Sequence, residues 1–241
     1  ENIKTLDQSL AAHLNDFAKL QFGNRPYVST EDKTYYIDAV NGNDENDGES
    51  PATAFKTWAK VESMIPRILL HAYTIRIIGN LPETIVLRNV ITAGMTVETD
   101  RLIITGDTRI PSNHQVNGVK LVSLIGTDGG EYIGVSVENV RSTGLIEIYG
   151  CIGVTVTKCE PRAGIKVGNS LARITECNFG TDVVLDAISA PTVSRVFSRN
   201  NIGQATRYGL IAGEGSTIFK FGTQPTGSIA NEYIHQAGEI K

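Results

Sequence analysis

Five acidic residues in the second half of the chain carry the side chains that could support catalysis. Two carboxyl groups on either side of a glycosidic bond are the usual machinery of glycoside hydrolysis. The sequence has no adjacent Asp-Asp pair, and Glu138 and Glu147 are so close that only a bend could bring them to one face. We therefore lean towards a chain without hydrolase or lyase activity and assign no catalytic residue. The acidic residues are Glu138, Glu147, Glu160, Asp182 and Asp186.

A loop rich in Asn, Asp and Gly has part of the pattern of a calcium site. Asn43, Glu45, Asp47 and Gly48 occupy positions 1, 3, 5 and 6 of an EF-hand-like loop. Position 12 is Ala54, which cannot supply the bidentate carboxylate that such a loop needs. The pattern favours a turn over a calcium site, and we expect neither a metal nor a cofactor.

Exposed aromatic side chains beside polar ones are a third source of chemistry, because a sugar ring can stack on an aromatic face while its hydroxyls bind polar neighbours. Each of these tyrosines can also be read as a half-buried structural residue. The candidates for glycan or receptor binding are Tyr132, Tyr149, Arg207, Tyr208, Tyr233 and His235.

Composition limits the classes of partner. The 241-residue chain has a formal net charge of -4 and no cluster of Lys and Arg, which argues against nucleic acid. Its apolar runs are far shorter than the roughly 20 residues that span a bilayer, which argues against membrane insertion. The odd cysteine count, Cys151, Cys159 and Cys177, indicates buried free thiols instead of a disulfide framework.

The elements that must position these residues change type near residue 70. Val, Ile and Thr number 12 in residues 1–70 and 56 in residues 71–241, and 21 of the 24 glycines lie in the second part. This change predicts three units: a helical stalk segment at 1–26, a strand-loop-helix cap at 27–70, and a long β region with a distal C-terminal cap at 71–241.

The first unit has apolar residues at spacings of 3 and 4, the pattern of a coiled-coil seam. The alternative is an amphipathic helix that packs on its own domain, because fewer than three heptads are present. The proposed seam residues are Ile3, Leu6, Leu10, His13, Phe17 and Leu20.

The sequence of the second unit predicts a strand at Thr34–Asp38, followed by the Asn43–Gly48 loop. A helix is then predicted to begin at Ser50 and Pro51 and to end near Pro66. Its helix carries four apolar residues, Phe55, Trp58, Val61 and Ile65.

From Tyr73 onward strands recur every 8–12 residues, which predicts an all-β fold. The segment beginning at Gly144 recurs at Gly164, Val156–Cys159 recurs as Ile174–Cys177, and Arg195–Ser198 is a looser copy 21 residues further on. This repeat of about 18–21 residues favours a parallel β-helix. It predicts that Cys159 and Cys177 stack inside, and that Lys158 pairs with Glu176 outside.

The segments Tyr35–Asp38, Gly42–Gly48 and Pro51–Thr57 together resemble the first capped coil of pectin-lyase-like right-handed parallel β-helix proteins, particularly phage tail spikes and related prophage tail proteins. The resemblance implies that Phe55, Trp58, Val61 and Ile65 form an end cap over the solenoid. It also implies a parallel homotrimer held by the N-terminal heptads.

The resemblance implies a structural or receptor-binding part of a bacteriophage or prophage tail, made in the bacterial cytoplasm and located on the virion. Its expected partners are two further copies of itself, tail proteins upstream and a host surface polysaccharide or wall polymer. The alternatives are a polysaccharide depolymerase spike and a bacterial surface adhesin. The paired Asp, Gly-His-Gly and Arg-x-Lys signature of polygalacturonases has no match around any of the four histidines, His13, His71, His114 and His235.

Overall fold

The computed structural model describes residues 28–88, 90–92, 102–122, 134–181 and 185–241, and four isolated helical positions, Ser9, Ala12, His13 and Asp16. Most of this part is β-strand, and between residues 28 and 241 the described chain has one α-helix, α1 (Trp58–Met64). All of the strand pairs among the described residues are parallel, which agrees with the predicted all-β class. No helix in the described ranges is long and apolar enough to cross a bilayer.

The strands are short and follow one another closely along the chain. In order they are β1 (Lys33–Asp38), β2 (Ile68–Leu69), β3 (Tyr73–Ile78), β4 (Leu81–Arg88), β5 (Ile91–Thr92), β6 (Leu102–Gly106), β7 (Gln115–Val122), β8 (Val135–Glu138), β9 (Arg141–Ser142), β10 (Ile146–Tyr149) and β11 (Ile152–Thr157). The remainder are β12 (Glu160–Pro161), β13 (Ile165–Gly168), β14 (Leu171–Thr175), β15 (Ile188–Thr192), β16 (Arg195–Arg199), β17 (Gln204–Ala205), β18 (Tyr208–Ala212), β19 (Thr217–Phe221), β20 (Thr226–Gly227), β21 (Ala230–Ile234) and β22 (Glu239–Ile240).

The chain alternates between two long parallel sheets. The first sheet has the order β1-β3-β6-β8-β11-β14-β16-β19-β22. The second has the order β12-β9-β7-β10-β13-β15-β18-β21, with β4 also paired to β7. We call one strand of each sheet, with its connections, a pass. Because every pass stacks on the one before it, a residue's lateral neighbours come from the preceding and following passes.

The number of residues per pass varies. Val135 pairs with Val154, an offset of 19, and Val156 pairs with Ile174, an offset of 18. The predicted repeat of 18–21 residues is therefore confirmed in this central part. Outside it the offsets are larger: Leu102 pairs with Val135, an offset of 33.

Two of the three sequence alignments behind that repeat are out of register. Ile146 pairs with Ile165, so the offset is 19 and not the predicted 20. Ile174 pairs with Ser198 instead of Arg195, an offset of 24. A longer connection precedes β16, and strand composition alone does not reveal how many residues a corner contains.

Burial alternates along each strand because successive side chains point to opposite faces. Inward positions form apolar columns across the passes, and outward positions carry mixed polar and aromatic residues. One such inward column of the first sheet runs Leu102, Val135, Val154, Ala172, Val196 and Ile218. These columns position the outward side chains at regular intervals.

At the corner that follows each of four successive strands of the first sheet, β8, β11, β14 and β16, one residue has a left-handed backbone. Asn139, Lys158, Glu176 and Asn200 occupy this position in successive passes, with φ of 52°, 52°, 55° and 51°. Lys158 and Glu176 do lie in equivalent places, but no salt bridge joins them, so that predicted pair is wrong. The corner turns both side chains outward from a strained backbone position and leaves them apart.

The residue after each of these left-handed positions is buried. These residues are Val140, Cys159, Cys177 and Asn201. Asn201 Oδ1 accepts the backbone N–H of Cys177 at 2.9 Å, and Asn201 Nδ2 donates to the carbonyl of Ile174 at 2.8 Å. Cys177 and Cys159 occupy the same place one and two passes earlier, and the carbonyl of Cys159 accepts the N–H of Asn178 at 2.9 Å. All three cysteines are free and buried.

A second corner has an equivalent row of buried serines. Ser170 Oγ accepts the N–H of Cys151 at 3.0 Å, and Ser194 Oγ accepts the N–H of Ser170 at 3.4 Å. Ser216 Oγ then accepts the N–H of Ser194 at 3.0 Å. Each hydroxyl satisfies a donor from the previous pass, so both corners fix the spacing between passes.

The N-terminal unit differs from the prediction in its helix. The expected helix from Ser50 to Ile65 is broken into a 3-10 turn, Pro51–Thr53, and α1. Phe55 lies between them and forms a parallel bridge with Ile37. Asp44 accepts the N–H groups of Lys56 and Thr57 at 2.8 and 2.9 Å, and this holds the segment extended.

The four proposed cap residues are buried, with Phe55, Val61 and Ile65 at 0% exposure and Trp58 at 3%. Trp58 Nε1 donates to the carbonyl of Val86 in β4 at 2.8 Å. Helix α1 thus packs beside the first strand of the second sheet, which is where an end cap would lie.

The C-terminal stretch is part of the ladders. Residues 222–241, where we expected a distal cap, contain β20, β21 and β22. These strands pair with β17, β18 and β19. Two inward columns become charged here, because Lys220 follows Ser198 and Glu232 follows Leu210. Lys220 and Glu232 form a salt bridge, so polar side chains replace apolar ones at this end.

The proposed trimer seam lies almost entirely outside the described residues. Ile3, Leu6, Leu10, Phe17 and Leu20 are among the positions not described. His13 is helical and exposed, and its Nδ1 lies 2.8 Å from the carbonyl of Ser9.

Candidate functional site

The outer face of the second sheet carries a groove of about 690 Å³ near its C-terminal end. Strands β13, β15, β18 and β21 form its floor, because their outward positions are adjacent in register. Leu145 and Leu185, which are 41% and 51% exposed, contribute apolar walls. The volume is within the range of small-ligand sites in proteins, roughly 300–1,000 Å³.

A row of aromatic rings runs along one side of this groove. The rings of Tyr208 and Tyr233 are stacked with centroids 4.7 Å apart and an angle of 17° between their planes. His235 lies two residues after Tyr233, just beyond the end of β21, and their rings are 6.3 Å apart at 11°. Tyr233 is 41% exposed, and His235 is also exposed. A planar face is thus available to a ligand.

Arg207 and Asp186 place polar groups beside this row of rings. The guanidinium carbon of Arg207 lies 5.4 Å from the centre of the Tyr208 ring, and its nitrogens contact Asp186. Burial raises the pKa of Asp186, and the Arg207 guanidinium partly counters that rise. A negatively charged acceptor, Asp186, and a positively charged donor, Arg207, therefore lie beside an aromatic surface.

Four of the six predicted binding residues come together here: Arg207, Tyr208, Tyr233 and His235. Tyr149 lies on β10, next to β13 in the same sheet, where its ring covers Gly168 and the Lys166 ammonium is 5.9 Å from the ring centre. Lys166 also lines the groove, so Tyr149 is near its rim and not in it. Tyr132 lies outside the described residues.

The acidic residues considered for catalysis are mostly engaged in other contacts. Glu160 accepts hydrogen bonds from both Arg141 and Arg162, at 2.7 and 2.8 Å. Glu147 lies 3.5 Å from the Lys120 ammonium, and Glu138 accepts a hydrogen bond from Ser136 Oγ at 2.9 Å. Asp182 lies outside the described residues.

Asp186 and Glu214 both line the groove, but at opposite ends of it. Asp186 lies level with Tyr208, because the N–H of Ala187 donates to the Tyr208 carbonyl. Glu214 lies two residues beyond the end of β18, a strand that is itself roughly 13 Å long. Carboxyl pairs in glycosidases are about 5–10 Å apart. This pair does not meet that spacing.

The apolar lining of the groove was not predicted. Leu145 and Leu185 lie outside the strands, before β10 and β15, and Ile211 is an outward position of β18, so no strand pattern in the sequence groups them. No group of three or more His, Cys, Asp or Glu side chains within the described ranges is arranged to hold a metal ion.

Comparisons of the chain with protein-family models, with curated proteins and with solved structures found no match. The chemistry of the groove is therefore the basis for assigning a function.

Proposed function

We propose that this chain is a right-handed parallel β-helix that attaches a bacteriophage or prophage tail appendage to a glycan on the host cell surface. The parallel ladders that alternate between two sheets support the solenoid, since each pass adds one strand to each sheet. The buried helix α1 at the first strand of the second sheet supports the capped end that the sequence resemblance implies.

The observation that carries the binding function is the groove with its stacked rings. The apolar C–H face of a sugar packs on an aromatic ring, and its hydroxyls bind carboxylate and guanidinium groups. Tyr233 and His235 supply the ring faces, and Asp186 and Arg207 supply the acceptors and donors. An uncharged or weakly charged saccharide fits this mixture best, because Asp186 and Arg207 already neutralise each other.

The proposed trimer rests on the heptad pattern of residues 3–20. In a homotrimer, three grooves would face the same surface, and simultaneous binding would raise the apparent affinity far above that of one site. Light scattering tests this step: a particle of about three times 26.0 kDa supports it, and a monomer rules it out.

The function is tested by incubating the protein with host cells and purified wall glycans, with binding and cleavage scored separately. We expect binding without cleavage. A Tyr233→Ala variant should weaken binding about two- to tenfold, the range expected for one aromatic contact. Tyr36→Ala, a half-buried tyrosine on the first sheet, is the matched control and should bind normally.

Release of shortened oligosaccharides would contradict the proposal and favour the depolymerase alternative. Binding that is equally strong in Tyr233→Ala would remove the groove as the site. Binding to bacterial cells that lack the phage receptor would favour the adhesin alternative.

A further inference from the structure

The outer face of the first sheet carries a second pocket, of about 580 Å³, that the proposed function does not use. It lies over β14, β16 and β19. The residues that shape it are Arg173, Thr175, Phe197, Arg199, Asn200 and Phe221. Because the groove described above lies on the second sheet, the two sites are on different faces of the chain.

Alternation along the strands brings arginines and phenylalanines together on this face. On β16 the outward positions are Arg195, Phe197 and Arg199, while Val196 and Ser198 are buried. Arg173 on β14 is the lateral neighbour of Phe197. Arg173 and Arg199 are thus diagonal neighbours on adjacent strands, about 8 Å apart at the backbone.

The arginines of this face have no anionic partner in the part of the chain that the structure describes. Arg173, Arg195 and Arg199 are exposed, and none of them forms a salt bridge or a side-chain hydrogen bond there. Two other arginines of the chain are paired: Arg207 binds Asp186, and Arg141 binds Glu160.

The acidic groups nearest to the pocket leave this positive charge largely uncompensated. Glu239 pairs with Lys241, and Glu232 pairs with Lys220. Glu176 lies at the corner after β14, where its backbone N–H donates to the Arg199 carbonyl, and its carboxylate binds neither arginine. The pocket is therefore locally cationic on a chain whose net charge is -4.

Aromatic rings form the second half of the pocket. Phe197 and Phe219 are stacked with centroids 5.0 Å apart and 14° between their planes. Phe221 is 52% exposed, so its ring is available to a ligand. Thr175 and Asn200 add neutral hydrogen-bonding groups at the edge.

We propose that this pocket binds an acidic saccharide, with its anionic group between Arg173 and Arg199 and its sugar ring against Phe221. A guanidinium binds a carboxylate or a phosphate through two parallel hydrogen bonds, and two guanidiniums can bind one anion from both sides. A long nucleic acid is disfavoured, because the chain as a whole is acidic and would repel an extended polyanion. The site is independent of the neutral-glycan groove.

Calorimetric titration of the full chain with three probes tests the proposal. Tetragalacturonate carries carboxylates, glucose 6-phosphate carries a phosphate, and maltotetraose is neutral. We expect at least one acidic probe to bind and maltotetraose to bind at least about tenfold more weakly at this site. Tighter binding of tetragalacturonate assigns a carboxylate ligand, and tighter binding of glucose 6-phosphate assigns a phosphate. Either result supports the proposal.

Variants locate the binding. Arg173→Gln combined with Arg199→Gln should weaken binding of the acidic probe at least about tenfold. Phe221→Ala should weaken this binding about two- to tenfold. Arg88→Gln, an exposed arginine on β4, is the matched control and should bind as the wild type does. Because all of these side chains are exposed, the variants should melt within about 2 °C of the wild type.

Several results would overturn the proposal. These are no binding of either acidic probe at millimolar concentration, equally tight binding of maltotetraose that is lost in the double arginine variant, or unchanged binding of the acidic probe in that variant. Tighter binding of a short oligo(dT), lost in that variant, would assign a nucleic acid instead. Tyr233→Ala separates the two sites: loss of acidic-probe binding in this variant would place the probe in the other groove and overturn the assignment.

Discussion

Arg207 and Asp186 are joined by two parallel hydrogen bonds between neighbouring passes, from Nε to Oδ1 at 3.2 Å and from Nη2 to Oδ2 at 3.1 Å. The Asp186 side chain is only 13% exposed, whereas that of Arg207 is 46% exposed. The arginine therefore compensates a carboxylate that is largely removed from water, and it forms one wall of the groove as it does so.

Removing this arginine should destabilise the chain at neutral pH. Arg207→Ala leaves the Asp186 carboxylate buried without its cation, at a cost of about 1 kcal/mol. The pKa of Asp186 is raised by burial and would rise further. Since a raised carboxyl pKa in the folded state favours folding at low pH, the variant should recover stability as pH falls from 7 to 4. The measurement is the thermal midpoint at each pH.

The double variant Arg207→Ala with Asp186→Asn is the control for this prediction. It has no buried charge, so it should be more stable at pH 7 than Arg207→Ala alone. An Arg207→Ala protein whose loss of stability is the same at pH 4 and pH 7 would contradict the assignment.

Asn201 should be a major contributor to stability among the buried polar residues. Asn201→Ala removes the acceptor of the Cys177 N–H and the donor to the Ile174 carbonyl, and leaves both in a buried corner. We expect a loss of about 2–4 kcal/mol, measured by urea unfolding. Asn117→Ala, which removes one long exposed hydrogen bond of 3.4 Å to Thr84, should lose less than about 0.5 kcal/mol. Equal losses in the two variants would contradict the role of the corner ladder.

Asp44 should make the N-terminal unit sensitive to acid. Burial by itself raises the pKa of Asp44, but hydrogen bonds from Thr57 and Lys56 outweigh it and hold the pKa below its usual value. This contribution is present above about pH 4 and is lost as pH falls through the lowered folded value. Asp44→Asn should cost about 1–2 kcal/mol at pH 7 and progressively less at pH 2–3.

The matched control for Asp44 is Glu45→Gln. Glu45 is the exposed neighbour in the same loop, and its side chain makes none of these contacts. It should change the thermal midpoint little at any pH. If the two substitutions behaved alike, the hydrogen bonds of Asp44 would not be what holds Phe55 extended.

His114 should give a separate dependence at higher pH. Burial lowers the pKa of His114 below 6.5, although Asp107, 3.0 Å away, acts in the opposite direction. Below pH 6.5 the unfolded chain binds a proton that the folded chain does not, so stability falls as pH falls from 7 to 5. The slope is at most about 1.4 kcal/mol per pH unit. His114→Gln should flatten it, and an unchanged slope would show that other groups cause it.

The thiols should be unreactive while the chain is folded. Burial, and then the neighbouring Cys177 thiol, raise the pKa of Cys159 well above its usual value. A thiol reagent such as 5,5′-dithiobis(2-nitrobenzoic acid) should therefore react slowly with the native chain and rapidly with all three cysteines in urea. Rapid labelling of Cys159 in the native state would show that this corner opens readily.

Much of the fold could be predicted because it depends on side-chain type at alternating positions. The strands from Tyr73 and the burial of Phe55 and Trp58 follow from apolar periodicity. These features need no knowledge of how many residues lie between strands.

The remainder depends on corner lengths and on contacts distant in sequence. The offset of 24 between Ile174 and Ser198 arises in a connection that has no strand pattern. The break before α1 depends on Asp44, which lies 12 and 13 positions before the backbone groups it binds. The pairing of Arg173 with Phe197 could not be seen until the register was known, so the second pocket was missed.

The alternation of inward and outward positions also has a consequence for how this chain can change over generations. Arg173 shares β14 with the core residues Ala172 and Ile174 but contributes little to packing within the core, and Tyr233 lies on β21, which has no buried residue. Substitutions in the outward columns can therefore exchange one ligand for another while the interior columns stay the same. The two pockets lie on separate sheets, so substitutions in one pocket need not alter the other. The chain could therefore adapt to a changed host surface through one pocket at a time.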